Sequence, residues 1–315
     1  MSKTVQGDTK ELVVVGAGPS ALAAAVYTTR EDIETTLYEK GAVGGLAAIT
    51  DWVDNYPGFS KGVSGMDLAQ QLQDQAVRFG TVIEYGEITS IQRDDESITL
   101  STTGDVVRAK AVLVATGSDY KKLGIPGETE YYGRGVHYCA TCDGAFYRDK
   151  KLVVVGGGNS ALQEAIFLTK FASHIDLAVR SEISASEVLQ HELQQYVDNG
   201  KITVHLGLTT DEITSTDGKT VSGIKGKQAG KSIELDCDGV FVFIGLLPNT
   251  DFLKSSGIKL DDYGFIETDS NLQTSVKGVF ASGDVRSGAT MQIASAVGEG
   301  ATAALKIREY LEGKL

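Results

Sequence analysis

Cys139 and Cys142 stand three residues apart in the stretch 138–144, YCATCDG. That spacing lets two sulfurs close a small disulfide, and at the start of an expected helix the backbone dipole favours a thiolate, so the pair can perform thiol–disulfide exchange. Two such cysteines can also form half of a zinc site. Zinc takes four ligands, however, and neither a second Cys-x-x-Cys nor paired histidines accompany these. The redox reading is preferred and no metal is expected. Cys237 stands alone and reads as a small buried apolar residue. Three cysteines are too few for a secreted disulfide scaffold, so a reducing compartment, the cytoplasm, is the expected location.

A second chemistry-bearing pattern occurs twice. Laying residues 11–25 (ELVVVGAGPSALAAA) over 151–165 (KLVVVGGGNSALQEA) gives ten identities in fifteen positions, at an offset of 140. Each copy reads as a short β-rich run, a Gly-x-Gly turn and an Ala-rich helix, the opening of a βαβ dinucleotide unit. The first glycine (Gly16, Gly156) permits the tight turn, and the second (Gly18, Gly158) lets amides approach a pyrophosphate. The small third residue (Ala21, Ala161) lets helix pack on strand. One such motif could be a mere strand–helix turn, but a repeat in the same context argues against coincidence. Glu39, 23 residues beyond Gly16, ends the next expected strand (33–39), where it can serve an adenosine ribose or be a solvated acid.

The elements that must hold these groups are read from the same chain of 315 residues, enough for two domains. A Gly-rich loop at Gly44-Gly45 is followed by an expected helix near 66–79 and short strands through Leu100. The run 111–117 (AVLVATG) is a buried strand ending in a small-residue turn, and Ile125-Pro126-Gly127 reads as a connection between domains. A second set of strands runs to 240–245, and the tail holds a strand ending at Asp284 and a long final helix. A tail of about 65 residues would be a marginal separate domain, so it should rejoin the first. A net charge of −13 argues against nucleic acid or an anionic membrane as partner. The apolar stretch 12–26, preceded by Lys3 and Lys10, could mimic a signal peptide, but its recurrence in mid-chain argues against that reading. No apolar run reaches the roughly 20 residues of a membrane span.

These residues, taken in order with Gly16-Ala17-Gly18-Pro19, Gly44-Gly45-Leu46, Asn55-Tyr56-Pro57-Gly58, Ala115-Thr116-Gly117, Gly156-Gly157-Gly158-Asn159 and Ser282-Gly283-Asp284, resemble the low-molecular-weight thioredoxin reductases over nearly the whole chain. The resemblance implies an α/β fold of two Rossmann-like three-layer domains, the second inserted in the first. It assigns 1–120 and 247–315 to an FAD domain and 121–246 to an NAD(P)-type domain carrying the Cys pair. It implies FAD contacts from Gly16, Gly18, Pro19, Ser20, Ala21, Glu39, Lys40, Gly44, Gly45, Leu46, Asn55, Ala115, Thr116, Gly117, Gly283, Asp284, Gln292 and Ile293. Nicotinamide-nucleotide contacts would come from Gly156, Gly158, Asn159, Ser160 and Arg180. Cys142 would face the flavin, Cys139 would attack the substrate disulfide, and Asp143 would be the proton donor. Asp143 can also be a solvated acid at a helix start, and His137 is either a further base or a surface histidine without a role. The implied activity is reduction of thioredoxin or a similar small dithiol protein by a homodimer.

One stretch departs from the family. Where NADPH-specific members carry His-Arg-Arg-x-x-x-Arg, residues 179–185 read VRSEISA, which keeps only Arg180 and adds the repelling Glu182. The 140-residue offset also sets Val179 opposite Glu39, so the acid of an NAD-type ribose site is absent too. Met291 replaces the family's Arg before Gln292. Three expectations follow: relaxed use of NADPH or NADH, a donor such as ferredoxin or another reduced flavin, or an FAD-containing redox sensor that does not turn over.

Overall fold

The computed structural model describes residues 9–50, 52–95 and 97–315, so Lys3 lies outside the described residues. In chain order the first elements are β1 (Lys10–Val15), α1 (Pro19–Thr29), β2 (Thr35–Glu39), α2 (Gly45–Ala48), α3 (Gly65–Arg78), β3 (Val82–Tyr85), β4 (Ile88–Arg93), β5 (Ile98–Thr102), β6 (Val106–Val114) and β7 (Ser118–Tyr120). There follow β8 (Val136–His137), α4 (Ala140–Asp143), a 3-10 turn (Gly144–Tyr147), β9 (Lys151–Val155), α5 (Asn159–Leu168), β10 (His174–Val179), α6 (Glu187–Asp198) and β11 (Ile202–Leu206). Last come β12 (Leu208–Thr214), β13 (Gly223–Gln228), β14 (Lys231–Asp236), β15 (Gly239–Val242), β16 (Leu246–Pro248), a 3-10 turn (Asp251–Leu253), β17 (Val279–Ala281) and α7 (Ile293–Leu311).

These elements form two compact units, one made of the described chain up to Asp119 together with Leu247–Leu315, the other of Tyr120–Leu246. The Ile125-Pro126-Gly127 turn is therefore no connection between domains. It lies inside the second unit, where the Pro126 carbonyl accepts from the Ile213 N–H at 3.0 Å. Pro-Gly marks a change of direction, which a chain makes inside a domain as readily as between two.

Each unit is a Rossmann-like α/β body. In the first, the parallel strands run β3-β2-β1-β6 with β17 also on β6, while β5 and β4 continue from β6 as an antiparallel extension. In the second, β11-β10-β9-β15-β8 are all parallel, and β12-β13-β14 form a separate antiparallel sheet. Leu12, Val13 and Val14 of β1 and Leu152, Val153 and Val154 of β9 are all fully buried. A central parallel strand covered on both faces needs such an unbroken apolar run rather than alternation. Helix α1 is buried along nearly its whole length because α7 covers it, with Leu22 and Ala25 in one cluster with Ala303, Ala304 and Ile307. The expected helix at 66–79 is α3, whose start is fixed by Ser64: its Oγ accepts from the Asp67 N–H at 3.1 Å and donates to Asp67 Oδ2 at 2.7 Å.

The two copies of the glycine turn share their backbone hydrogen bonds at the same offset. Gly16 N–H donates to Tyr38 O and Gly156 N–H to Ala178 O; Gly44 N–H donates to Ala17 O and Ser184 N–H to Gly157 O. At Gly16 (φ +99°) a Cβ would stand 2.6 Å from the Ala115 carbonyl oxygen, and at Gly156 (φ +145°) it would collide with that of Phe243. Neither position admits a side chain. At Gly18 a Cβ would meet nothing within 4 Å. Gly16→Ala is therefore expected to cost about 2–3 kcal/mol of stability in urea unfolding of the flavin-stripped protein, and Gly18→Ala less than about 1 kcal/mol. Equal costs would contradict this account of the turn.

Candidate active site

The redox pair lies in the second unit. Cys139 and Cys142 are joined as a disulfide with Cα atoms 5.3 Å apart. Cys139 is the N-cap residue of α4, and the Cys142 N–H points at its Sγ at 3.1 Å. The helix expected here is only one turn, α4, continued by the 3-10 turn. So short a helix carries little macrodipole, and the group placed to steady a thiolate on Cys139 once the disulfide opens is this local amide. Among the described residues no group of three or more His, Cys, Asp or Glu is placed to hold a metal ion.

His137 is no surface histidine. It is 8% exposed at the end of β8, its Nδ1 lies 3.0 Å from Asp143 Oδ2 and its Nε2 2.7 Å from the Tyr147 hydroxyl. Nothing in the residue pattern singles out Tyr147, because its value lies in a fold-back of ten residues. Asp143 is part-buried and paired, not a free solvated acid. Tyr138 is anchored from the other side: its hydroxyl donates to the buried Glu128 at 2.8 Å, and Glu128 also accepts from the Leu123 and Gly124 N–H groups. Cys237 is buried, and burial pushes its thiol up to about 12, which makes it inert.

In the first unit the residues named from sequence gather around the β1–α1 turn. Glu39 ends β2, with Oε2 accepting from the Ala17 N–H at 2.8 Å and Oε1 from the Gly41 N–H at 2.7 Å. Gly44 is buried under this turn, with Gly45 and Leu46 opening α2. Ser20 Oγ bonds Ser282 Oγ at 2.7 Å, which ties α1 to the segment carrying Gly283 and Asp284. Asn55 donates from Nδ2 to Gln292 Oε1 at 3.1 Å just ahead of Ile293, the first residue of α7. Lys40 stands apart, exposed and 4.0 Å from Glu87. Two supports have no signal in the sequence. Asn249 clamps the Ala115-Thr116-Gly117 turn by accepting from Thr116 Oγ1 and donating to Thr116 O, and Glu299 accepts from Gly283 N–H while pairing twice with Arg286.

The second unit keeps the glycine turn but differs beyond it. Val179, at the place of Glu39, is buried and apolar, and Ala185, at the end of the missing clamp, packs in the core. Asn159 Oδ1 accepts from the Ser186 N–H at 2.8 Å, and Ser160 and Arg180 are both exposed.

A family model for pyridine nucleotide-disulphide oxidoreductases matches residues 10–300. The chain is 39% identical over 304 residues to a thioredoxin reductase of Bacillus subtilis (strain 168), covering 96% of this chain and 95% of that one. It is 40% identical over 311 residues to the 34.2 kDa protein in the rubredoxin operon of Clostridium pasteurianum, covering 96% and 98%. Among solved structures, thioredoxin reductase from Streptococcus pyogenes MGAS5005 matches with a TM-score of 0.91 at 36% identity, covering 98% of this chain and all of that one. The chain belongs to the pyridine nucleotide-disulphide oxidoreductase family.

FAD is the cofactor this membership implies, and the first unit fits it. Space is open over Gly18 at the start of α1, Glu39 keeps lone pairs free for ribose hydroxyls, and Asp284 has no hydrogen-bond partner among the described residues. Burial, and secondarily the charge of Glu299, raises the Asp284 carboxyl from its ordinary 3.8 to about 6. A carboxyl raised in the folded state opposes folding once ionised. The penalty is absent below pH 4, grows up to about pH 6 and is complete above it. Asp284→Asn should therefore stabilise the flavin-stripped protein by up to about 3 kcal/mol at pH 8 and by nothing below pH 4, while weakening FAD binding. Urea unfolding at the two pH values and FAD titration check both parts; a variant less stable at pH 8 would contradict the assignment.

Proposed function

We propose that the chain is an FAD-dependent thioredoxin-disulfide reductase, acting where thiols are kept reduced. The observation that carries this reading is the Cys139–Cys142 disulfide beside the His137–Asp143 pair, in a chain whose match to thioredoxin reductases is nearly end to end. Bound FAD, held by the residues around Gly16, Glu39 and Asp284, supplies a two-electron carrier. Two electrons delivered to the pair open the sulfur–sulfur bond. Cys139, the residue whose sulfur an amide already steadies, attacks the thioredoxin disulfide, and Cys142 resolves the mixed disulfide by attacking Cys139. Asp143 gives and takes the proton that each sulfur needs on leaving or attacking. Cys142→Ser should leave FAD binding intact and abolish multiple turnover with thioredoxin, with Cys139 able to trap a mixed disulfide; continued turnover, read by thioredoxin thiol release, would refute the assignment.

A second reading concerns the donor and rests on Val179 and Ala185. With an apolar residue where the first unit has Glu39, and with no Arg cluster, the second unit grips the pyrophosphate alone and does not discriminate the ribose. Anaerobic bleaching of the flavin by NADPH, NADH and reduced ferredoxin, measured side by side, should show the two nucleotides within about tenfold of each other and both weak, because a bidentate anchor is missing. Reduction by NADPH with a micromolar Michaelis constant would exclude it.

A further inference from the structure

We propose that His137 is a positioning residue for the exchange step, holding Asp143 beside the Cys pair and, with Tyr147, storing the proton that Asp143 hands to a departing sulfur. This rests on the reading of Cys139–Cys142 as the thioredoxin-reducing pair.

His137 is held on every side. Its ring stacks on Phe241 with centroids 5.1 Å apart and meets the edge of Tyr147 at 5.2 Å, while Tyr147 packs edge-on against the same Phe241 at 5.5 Å. The seat for Tyr147 is built into β15: a Cβ on Gly239 would stand 2.5 Å from its ring, so only glycine there lets the phenol lie against the strand. With rotation so limited, the two ring nitrogens have fixed partners, Nδ1 the Asp143 carboxylate and Nε2 the Tyr147 hydroxyl. An ionised carboxylate only accepts, so the neutral imidazole carries its proton on Nδ1 and Nε2 accepts from tyrosine. When imidazole gains a second proton, the tyrosine hydroxyl turns and accepts instead. The network thus satisfies both protonation states without moving a ring, as a reservoir requires.

The groups facing this cluster do not compete for the proton. Burial, then the Asp143 charge, raises the Tyr147 hydroxyl above its ordinary range, and burial does the same for Tyr132 from the chain before β8. Cys237, ahead of β15, is pushed up to about 12 by burial, and its neighbour Asp238 is engaged by Lys150 Nζ and the Lys151 N–H. Asp143 and His137 are left as the exchanging pair.

The step balances. The Cys139 thiol passes its proton to the pair as its sulfur bonds to one thioredoxin sulfur; the thioredoxin disulfide breaks and the leaving sulfur takes that proton back. Cys142 then loses its proton to the pair as it bonds to Cys139, and the second thioredoxin sulfur departs with it. Two electrons and two protons have moved to thioredoxin, the enzyme disulfide is restored, and Asp143 and His137 end as they began.

The test uses the FAD-loaded protein, chemically reduced and freed of reductant, mixed with thioredoxin disulfide from pH 6 to pH 9, quenched rapidly and scored by alkylation of thioredoxin thiols. His137→Asn keeps an N–H toward Asp143 but stores no second proton; Tyr147→Phe keeps the imidazole and removes its Nε2 partner. The asparagine variant should slow the single-turnover rate about tenfold at pH 8–9 and make it fall more steeply with pH, with half-saturation by thioredoxin unchanged; the phenylalanine variant should slow it about threefold in the same sense. If His137→Asn fails to fold or to hold FAD, Tyr147→Phe decides the question. Wild-type pH profiles in a folded variant overturn the inference, as does a loss confined to half-saturation. Wild-type protein that leaves thioredoxin oxidised refutes the underlying reading of the pair, a result distinguishable from the first.

Discussion

At Gly16 the chain passes the carbonyl of Ala115 so closely that no β-carbon fits between them, and at Gly156 it passes Phe243 in the same way. Around that close approach each unit is organised: the strand before the turn sits centrally in a parallel sheet, a helix begins directly after it, and the neighbouring strand ends beside the turn. The repeated hydrogen bonds, Gly44 to Ala17 and Ser184 to Gly157, show the loop after the second strand folded over the turn in both units. The same backbone can serve different ends because the side chains at its margin differ.

That margin is where the two units part. In the first, Glu39 fastens its carboxylate to the turn, and Asp284 is held half-buried beside Glu299, whose own charge is answered by Arg286. Leaving a carboxylate buried and unpartnered costs stability, which makes it a mark of a binding group rather than a scaffold group. In the second, Val179 and Ala185 fill the corresponding ground with apolar core. Chemistry in that unit has moved to the opposite end of the parallel sheet order, where β8 and β15 bring His137, Phe241 and, through the following turn, Tyr147 together behind the cysteine pair.

Much of this was legible in the sequence because it depends on local spacing. Unbroken apolar runs at β1, β6 and β9, glycines at fixed offsets, an acid at the end of β2 and two cysteines three apart are all written in consecutive residues. The two-unit α/β plan followed from the repeat. The reading of Ile125-Pro126-Gly127 as a domain boundary went wrong because a turn signal says that the chain bends and not what it bends toward. His137 stayed open between a base and a surface residue, because two residues of strand do not show in the sequence what packs over them.

The sequence by itself determined the turns, the central strands and the redox pair, since each is fixed by steric or electronic limits acting within a few residues. Only the tertiary structure decided which distant groups support them: Asn249 at the Thr116 turn, Glu299 under Gly283, Glu128 behind Tyr138, and Tyr147 on His137. Those partnerships arise because parallel strands from separated parts of the chain must lie side by side to share their hydrogen bonds. Which side chains then meet across them is a property of the assembled sheet and not of any one segment.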